Sequence, residues 1–195
     1  DRAREVWAAT FHSACVRMLR RDIERLGYGR NFVILDAEDQ QAVIKDCLKR
    51  LSLSDRQFQP GAVLGTISAA KNQMLDPQQF AARAGDYWRA QVAKVYALYQ
   101  ERLKSNNALD FDDLLLKTVE LLERFDDVRT FYQRKFQFIL VDEYQDTNHV
   151  QNRLIFLLAG QRQNLAVVGD DDQGIYSWRG ADISNILEFE AQFPG

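Results

Sequence analysis

Cysteine, histidine and proline are all scarce in this 195-residue chain, which has two, two and three of them. Cys15 and Cys47 each lie within an apolar helical pattern, with no second cysteine or histidine at metal-ligand spacing. That excludes a disulfide framework, a zinc site and redox-pair chemistry, and leaves two core thiols. Long apolar runs are absent as well: no stretch approaches the ~20 residues needed to span a bilayer. The opening DRAREVWAAT has no basic region followed by an apolar run, so no signal peptide is visible, and a cytoplasmic protein with no membrane partner is expected. Positive charge is in short supply too. A net charge of -3 argues against binding nucleic acid through bulk basicity, so any such contact has to be local. What the chain does have is 46% hydrophobic residues, enough to bury a real core. Arginine is concentrated in residues 1–30 and carboxylates in residues 110–146, so the second region is the place to look for metal.

Residues 5–10 (EVWAAT) read as a short buried strand leading into a helix that starts near Ser13, carries Cys15, Leu19, Ile23 and Leu26 on one face, and ends at Gly27. From Asp36 to about Asn106 the pattern is helical throughout. Asp36 caps one helix, Pro60 opens another and Asp76-Pro77 starts a short third. A fourth, from about Asp86 to Lys104, sets Trp88, Val92, Val95, Tyr96, Tyr99 and Leu103 three and four residues apart, as core rather than contact surface. After the Asn106-Asn107 turn a helix capped near Asp110 is followed by an apolar run at 136–141, a helix from about Asn148 to Ala159, and a second run at 165–168. Strands alternating with helices predict a parallel sheet and an α/β class. Residues 1–31 and 109–195 are then the α/β core, and 32–108 an all-helical inserted subdomain.

In an open parallel sheet ligands bind beyond the carboxyl ends of the strands, and both apolar runs end there in acids. An Asp142-Glu143 pair directly after a strand can hold Mg²⁺ through Asp142 and orient or deprotonate a water through Glu143; the structural alternative is a strand end and a turn. The second run continues through Asp170 to Gln173, whose neutral amide can sense a phosphate, and to Trp178 in a polar, glycine-flanked loop. An exposed Trp178 can stack on a base, worth ~1–3 kcal/mol, and the alternative is a ring packed under the loop. Asp110, Asp112 and Asp113 read as a helix cap and a first-turn cluster at the positive end of the helix dipole, not as a second metal site.

The strings TFHS (10–13), LDFDDLL (109–115), VDEYQDTN (141–148) and VVGDDDQGIYSWRGAD (167–182) resemble, in order and spacing, motifs of the UvrD/Rep/PcrA helicases of superfamily 1. The resemblance spans essentially the whole chain, and the GDDDQ and YSWRGA wording is most similar to Rep-type enzymes. It implies a RecA-like nucleoside triphosphatase core and a nucleoid-associated ATP-dependent DNA helicase, moving 3′ to 5′ on single-stranded DNA and unwinding duplex. ATP and Mg²⁺ are the implied cofactors. Single strands, single-strand/duplex junctions, the remaining helicase domains, and repair or replication proteins are the implied partners. By position, Asp142 matches the Mg²⁺ ligand, Glu143 the catalytic carboxylate, Gln173 the γ-phosphate contact and Trp178 the base-stacking aromatic. Tyr176 and Arg179 match residues near that junction and are assigned to coupling between nucleotide state and DNA grip, and Thr10, Phe11 and His12 match a strand-contacting motif; Ser13 is either part of that motif or only a helix N-cap.

The phosphate-binding loop of such a motor ends in Gly-Lys-Thr or Gly-Lys-Ser, and none of the ten glycines precedes a lysine. The family places that loop upstream of TFHS, so a partial core is expected, with strands short of a neighbour, weak nucleotide binding and no turnover by this chain alone. Two other readings remain: the helicase subunit of a helicase–nuclease complex, and a non-catalytic DNA-binding or interaction module descended from a helicase.

Overall fold

The structure is a computed structural model that describes residues 6–170. It contains two compact units, Asp1–Leu116 and Lys117–Gly195. In the first, α1 (Phe11–Asp22) begins at Thr10, whose Oγ1 accepts from the Ser13 N–H, so Thr10 and not Ser13 is the N-cap. A 3₁₀ turn follows, and Gly27 closes it with φ +72°, a left-handed conformation in which a side chain is strained. Lys104 Nζ donates to the Leu26 carbonyl at 2.6 Å and sits over the Tyr28 ring.

The helical block has the expected starts. α2 (Ala37–Arg50) is capped by Asp36, α3 (Pro60–Asn72) has Pro60 in its first turn, and α4 (Pro77–Ala82) has a reciprocal capping box between Asp76 and Gln79. Asp86 caps α5 (Tyr87–Ser105), whose Val92, Val95, Tyr96, Tyr99 and Leu103 are all buried. These residues pack with Ile44, Leu48, Phe58, Val63 and Ile67 into one apolar cluster. Residues buried at three- and four-residue intervals on successive helices can only be covered by one another, which is why periodicity located this core.

Not anticipated was a short parallel ladder on either side of the block. β1 (Val33–Ile34) pairs with β2 (Ala108–Leu109), Val33 opposite Ala108. Two residues are too few to leave a periodic signal. The ladder is fastened by Asn107, whose Oδ1 accepts from the Gly29 N–H at 2.7 Å; a Cβ on Gly29 would come within 2.7 Å of the Asn31 side chain. α6 (Phe111–Arg124) follows β2 immediately and runs from the first unit into the second.

In the second unit α7 (Asp126–Lys135), absent from the sequence reading, buries only Val128 and Tyr132, too narrow a stripe to stand out beside α6. β3 (Ile139–Val141) and β4 (Leu165–Val167) pair in parallel, Val141 opposite Val167, with α8 (His149–Ala159) between them. Asn148 and Gln151 form a capping box at the start of α8, and Gln133 of α7 donates to the Leu157 carbonyl at 2.8 Å. The α/β class and the parallel pairing thus stand among the described residues. Two strand assignments need correcting. Residues 6–10 join no ladder among the described residues, and Val6 is 70% exposed. Residues 136–138 also lie outside β3, with Phe138 81% exposed. An apolar run becomes a strand only where a partner satisfies its backbone N–H and C=O groups, and β3 has that partner only along the length of β4.

Candidate functional site

Because β3 and β4 are parallel, their carboxyl ends lie side by side, and the ladder continues past both. The Val168 N–H donates to the Val141 carbonyl at 2.8 Å, and the Tyr144 N–H to the Val168 carbonyl at 2.9 Å. Asp142 and Glu143 emerge between these bonds, both exposed. Asp142 Oδ1 accepts from the Glu143 N–H at 3.0 Å. Glu143 has φ 51° and ψ 44°, the left-handed region that costs an L residue ~1–2 kcal/mol, and residues held there cluster at functional sites.

A 3₁₀ turn, Tyr144–Asp146, returns the chain to α8. Tyr144 is fully buried and its hydroxyl donates to Asn152 Oδ1 at 2.6 Å, while the Thr147 hydroxyl donates to the Tyr144 carbonyl at 2.7 Å. Gln145, also buried, donates from Nε2 to Glu143 Oε2 at 2.7 Å and accepts at Oε1 from the Asp170 N–H at 3.1 Å. Partial burial, and secondarily the charge of Glu143, raise the Asp146 carboxyl above the ordinary range; its Oδ1 has no hydrogen-bond partner.

As a donor set this suits a hard cation shared with a phosphate. Mg²⁺ is commonly held by one or two carboxylates, the rest of its shell being water and phosphate oxygens, and Asp142 offers an exposed carboxylate where such a ligand would sit. Among the described residues there is no cluster of three or more His, Cys, Asp or Glu residues able to hold a metal by themselves. Gln173, Tyr176, Trp178 and Arg179 lie outside the described residues.

In the first unit Thr10 is exposed, and Phe11 and His12 are half-buried. Burial lowers the His12 pKa, so the neutral imidazole is favoured. Its ring lies 5.6 Å from that of Phe111, which is 52% exposed. Thr10 is occupied as a cap, its Oγ1 also donating to the Ser13 hydroxyl at 3.0 Å.

Two of the three aspartates at the start of α6, Asp110 and Asp113, form half of a buried ionic lock. Asp110 caps the helix, accepting from the Asp113 N–H at 2.8 Å. Lys71 of α3, fully buried, reaches Asp110 Oδ2 at 2.6 Å and Asp113 Oδ1 at 2.9 Å. The Tyr99 hydroxyl and the Gln100 amide donate to the same two carboxylates. Sequence reasoning found the cap but missed the cation, which stands 39 residues before Asp110 with no local signal. It also missed Gln145, whose only sequence cue is that it follows the acidic pair.

The chain matches the family described as UvrD/REP helicase N-terminal domain over residues 1–194. It is 55% identical over 192 residues to the ATP-dependent DNA helicase PcrA of Bacillus subtilis (strain 168), covering 98% of this chain and 26% of that protein. It is 52% identical over 194 residues to the PcrA helicase of Staphylococcus aureus (strain Mu50 / ATCC 700699), covering 100% of this chain and 27% of that one. The PcrA helicase of Staphylococcus epidermidis is 50% identical over 194 residues. The chain therefore spans about a quarter of the length of these relatives. A match running through the helical block as well as the acidic strand ends establishes the family: the chain belongs to the UvrD/REP helicase N-terminal domain family.

Proposed function

We propose that this chain is part of the motor of an ATP-dependent DNA helicase, which couples ATP hydrolysis to 3′-to-5′ movement along single-stranded DNA and to duplex unwinding. The observation that carries the reading is the exposed Asp142–Glu143 pair at the shared carboxyl end of the parallel strands β3 and β4, with Glu143 in a strained left-handed conformation. In this reading residues 1–31 and 109–195 contribute to a RecA-like core that carries 32–108 as a helical insertion. β1 and β2 support that division, since they bring together the chain on either side of the block.

Asp142 binds the Mg²⁺ of Mg-ATP, which neutralises phosphate charge when bound. Glu143 orients the attacking water, and Gln173 and Arg179 contact the nucleotide. Trp178 stacks on bases, Tyr176 links that contact to the nucleotide, and Thr10, Phe11 and His12 line the path of the single strand. The test is Mg²⁺-dependent ATP hydrolysis by the full-length protein, with and without oligo-dT, beside a Glu143→Gln variant. DNA-stimulated hydrolysis that the substitution lowers by at least about a hundredfold supports the reading. An inactive full-length protein that still binds DNA through Trp178 would point instead to a non-catalytic binding module.

A further inference from the structure

We infer that Gln145 is a positioning residue for Glu143: its buried amide holds the Glu143 carboxylate and is itself fixed by the backbone N–H of Asp170. This rests on the assignment of Glu143 as the water-orienting carboxylate and deepens it. Gln145 is only 1% exposed although it lies two residues beyond an exposed carboxylate. Burying a primary amide is costly unless both of its ends are paired, and here both are. Nε2 donates to Glu143 Oε2 at 2.7 Å, within the range of charge-assisted bonds. Oε1 accepts from the Asp170 N–H at 3.1 Å. A carboxylate can only accept and a backbone N–H can only donate, so the amide has one workable orientation; flipped, it would set oxygen against oxygen.

Backbone contacts hold Glu143 on both sides without restraining its side chain. The Glu143 carbonyl accepts from the Asp146 N–H at 2.9 Å, and the next residue is tied to Val168. An exposed glutamate whose backbone is pinned still samples several rotamers, and a water-orienting group works only in the reactive one. The bond from Gln145 selects one of them and engages Oε2, which leaves Oε1 with both of its lone pairs to accept from water. The Asp170 contact links this positioning to the first residues beyond β4, so the two strand ends act on the carboxylate together.

The test compares Gln145→Met, Gln145→Glu, Glu143→Gln and the Glu143→Gln/Gln145→Met double variant in the full-length protein. DNA-stimulated kcat, KM for ATP, oligo-dT affinity and urea midpoint are read for each. Gln145→Met removes both bonds; Gln145→Glu is nearly isosteric, keeps the acceptor for Asp170 and loses the donor to Glu143, so it carries the test if the Met variant does not fold. The expected result is a kcat lower by about ten- to a hundredfold, with KM and DNA affinity within about threefold of wild type. Adding Gln145→Met to Glu143→Gln is expected to cost less than about a further twofold, because Gln145 acts through the group already lost. A folded Gln145→Glu protein with near wild-type kcat, losses that multiply in the double variant, or kcat and KM that worsen in parallel would each overturn the inference. If Glu143→Gln is silent while the Gln145 variants turn over normally, this inference alone fails. If Glu143→Gln itself turns over normally, the assignment of Glu143 fails and takes the inference with it.

Discussion

Lys71 shows what a single residue costs when its partners are buried with it. Burial alone works against its charge, but the carboxylates of Asp113 and Asp110 outweigh that and hold its pKa well above the ordinary lysine range. Lys71→Met would leave two carboxylates facing each other in a dry core, and breaking a buried pair from one side costs about 3–5 kcal/mol. Urea unfolding of the variant should show a loss of that order; a loss below about 1 kcal/mol would mean that the lock contributes little. Asp112 beside it behaves differently. Burial raises its pKa to about 6, with Asp110 and Asp113 pushing the same way and the Ser68 hydroxyl and Lys71 opposing. Between the ordinary value of 3.8 and about 6 the folded chain holds a proton that the unfolded chain has lost, so this residue's contribution to stability falls as pH rises through that window. Asp112→Asn should therefore gain in urea midpoint relative to wild type between about pH 4.5 and pH 7.5, and a difference that does not change with pH would contradict the assignment.

Among the elements, the helix ends carried the most information, because capping is local chemistry. Asp36, Asp76, Asp86 and Asn148 each accept from the backbone N–H three residues on, as their positions before apolar periodic runs indicated. The Asn148 box also fixes where the turn after Glu143 must end, so it serves both the helix and the site. Asn148→Ala should cost about 1 kcal/mol in unfolding free energy, and Gln151→Ala less, since Gln151 satisfies only the one cap N–H. The elements that could not be read were those whose existence depends on a distant partner. β1 and β2 are two residues each and pair across the entire helical block, and residues 6–10, all exposed except the half-buried Trp7, look like a strand only until the absence of a ladder partner among the described residues is known.

For the molecule as a whole, none of the glycines in the 195 residues precedes a lysine, so on the proposed motor reading Asp142, Glu143 and Gln173 act here without the Gly-Lys loop that cradles the β- and γ-phosphates. The 195-residue chain alone is accordingly expected to show no DNA-stimulated ATP turnover. Phosphate release by this chain at a rate comparable to the full-length protein would contradict that. Two compact units linked by α6 also predict two unfolding transitions, which far-UV circular dichroism and tryptophan fluorescence would reveal as separate midpoints; one coincident midpoint would contradict this.

Sequence alone determined the α/β class, the starts of α2 to α6 and α8, the α5 core stripe and the acidic pair at a strand mouth, because each is written in neighbouring residues by capping, periodicity or an apolar run ending in charge. Tertiary structure decided the rest. It showed that Thr10 and not Ser13 caps α1, that Asp110 and Asp113 face a buried lysine from another helix, and that Gln145 ties Glu143 to Asp170, three residues beyond β4. The physical reason is common to all three. A hydrogen bond or ion pair is satisfied by whatever group the fold brings within about 3 Å, and for Lys71 and Asp170 that group lies tens of residues away along the chain.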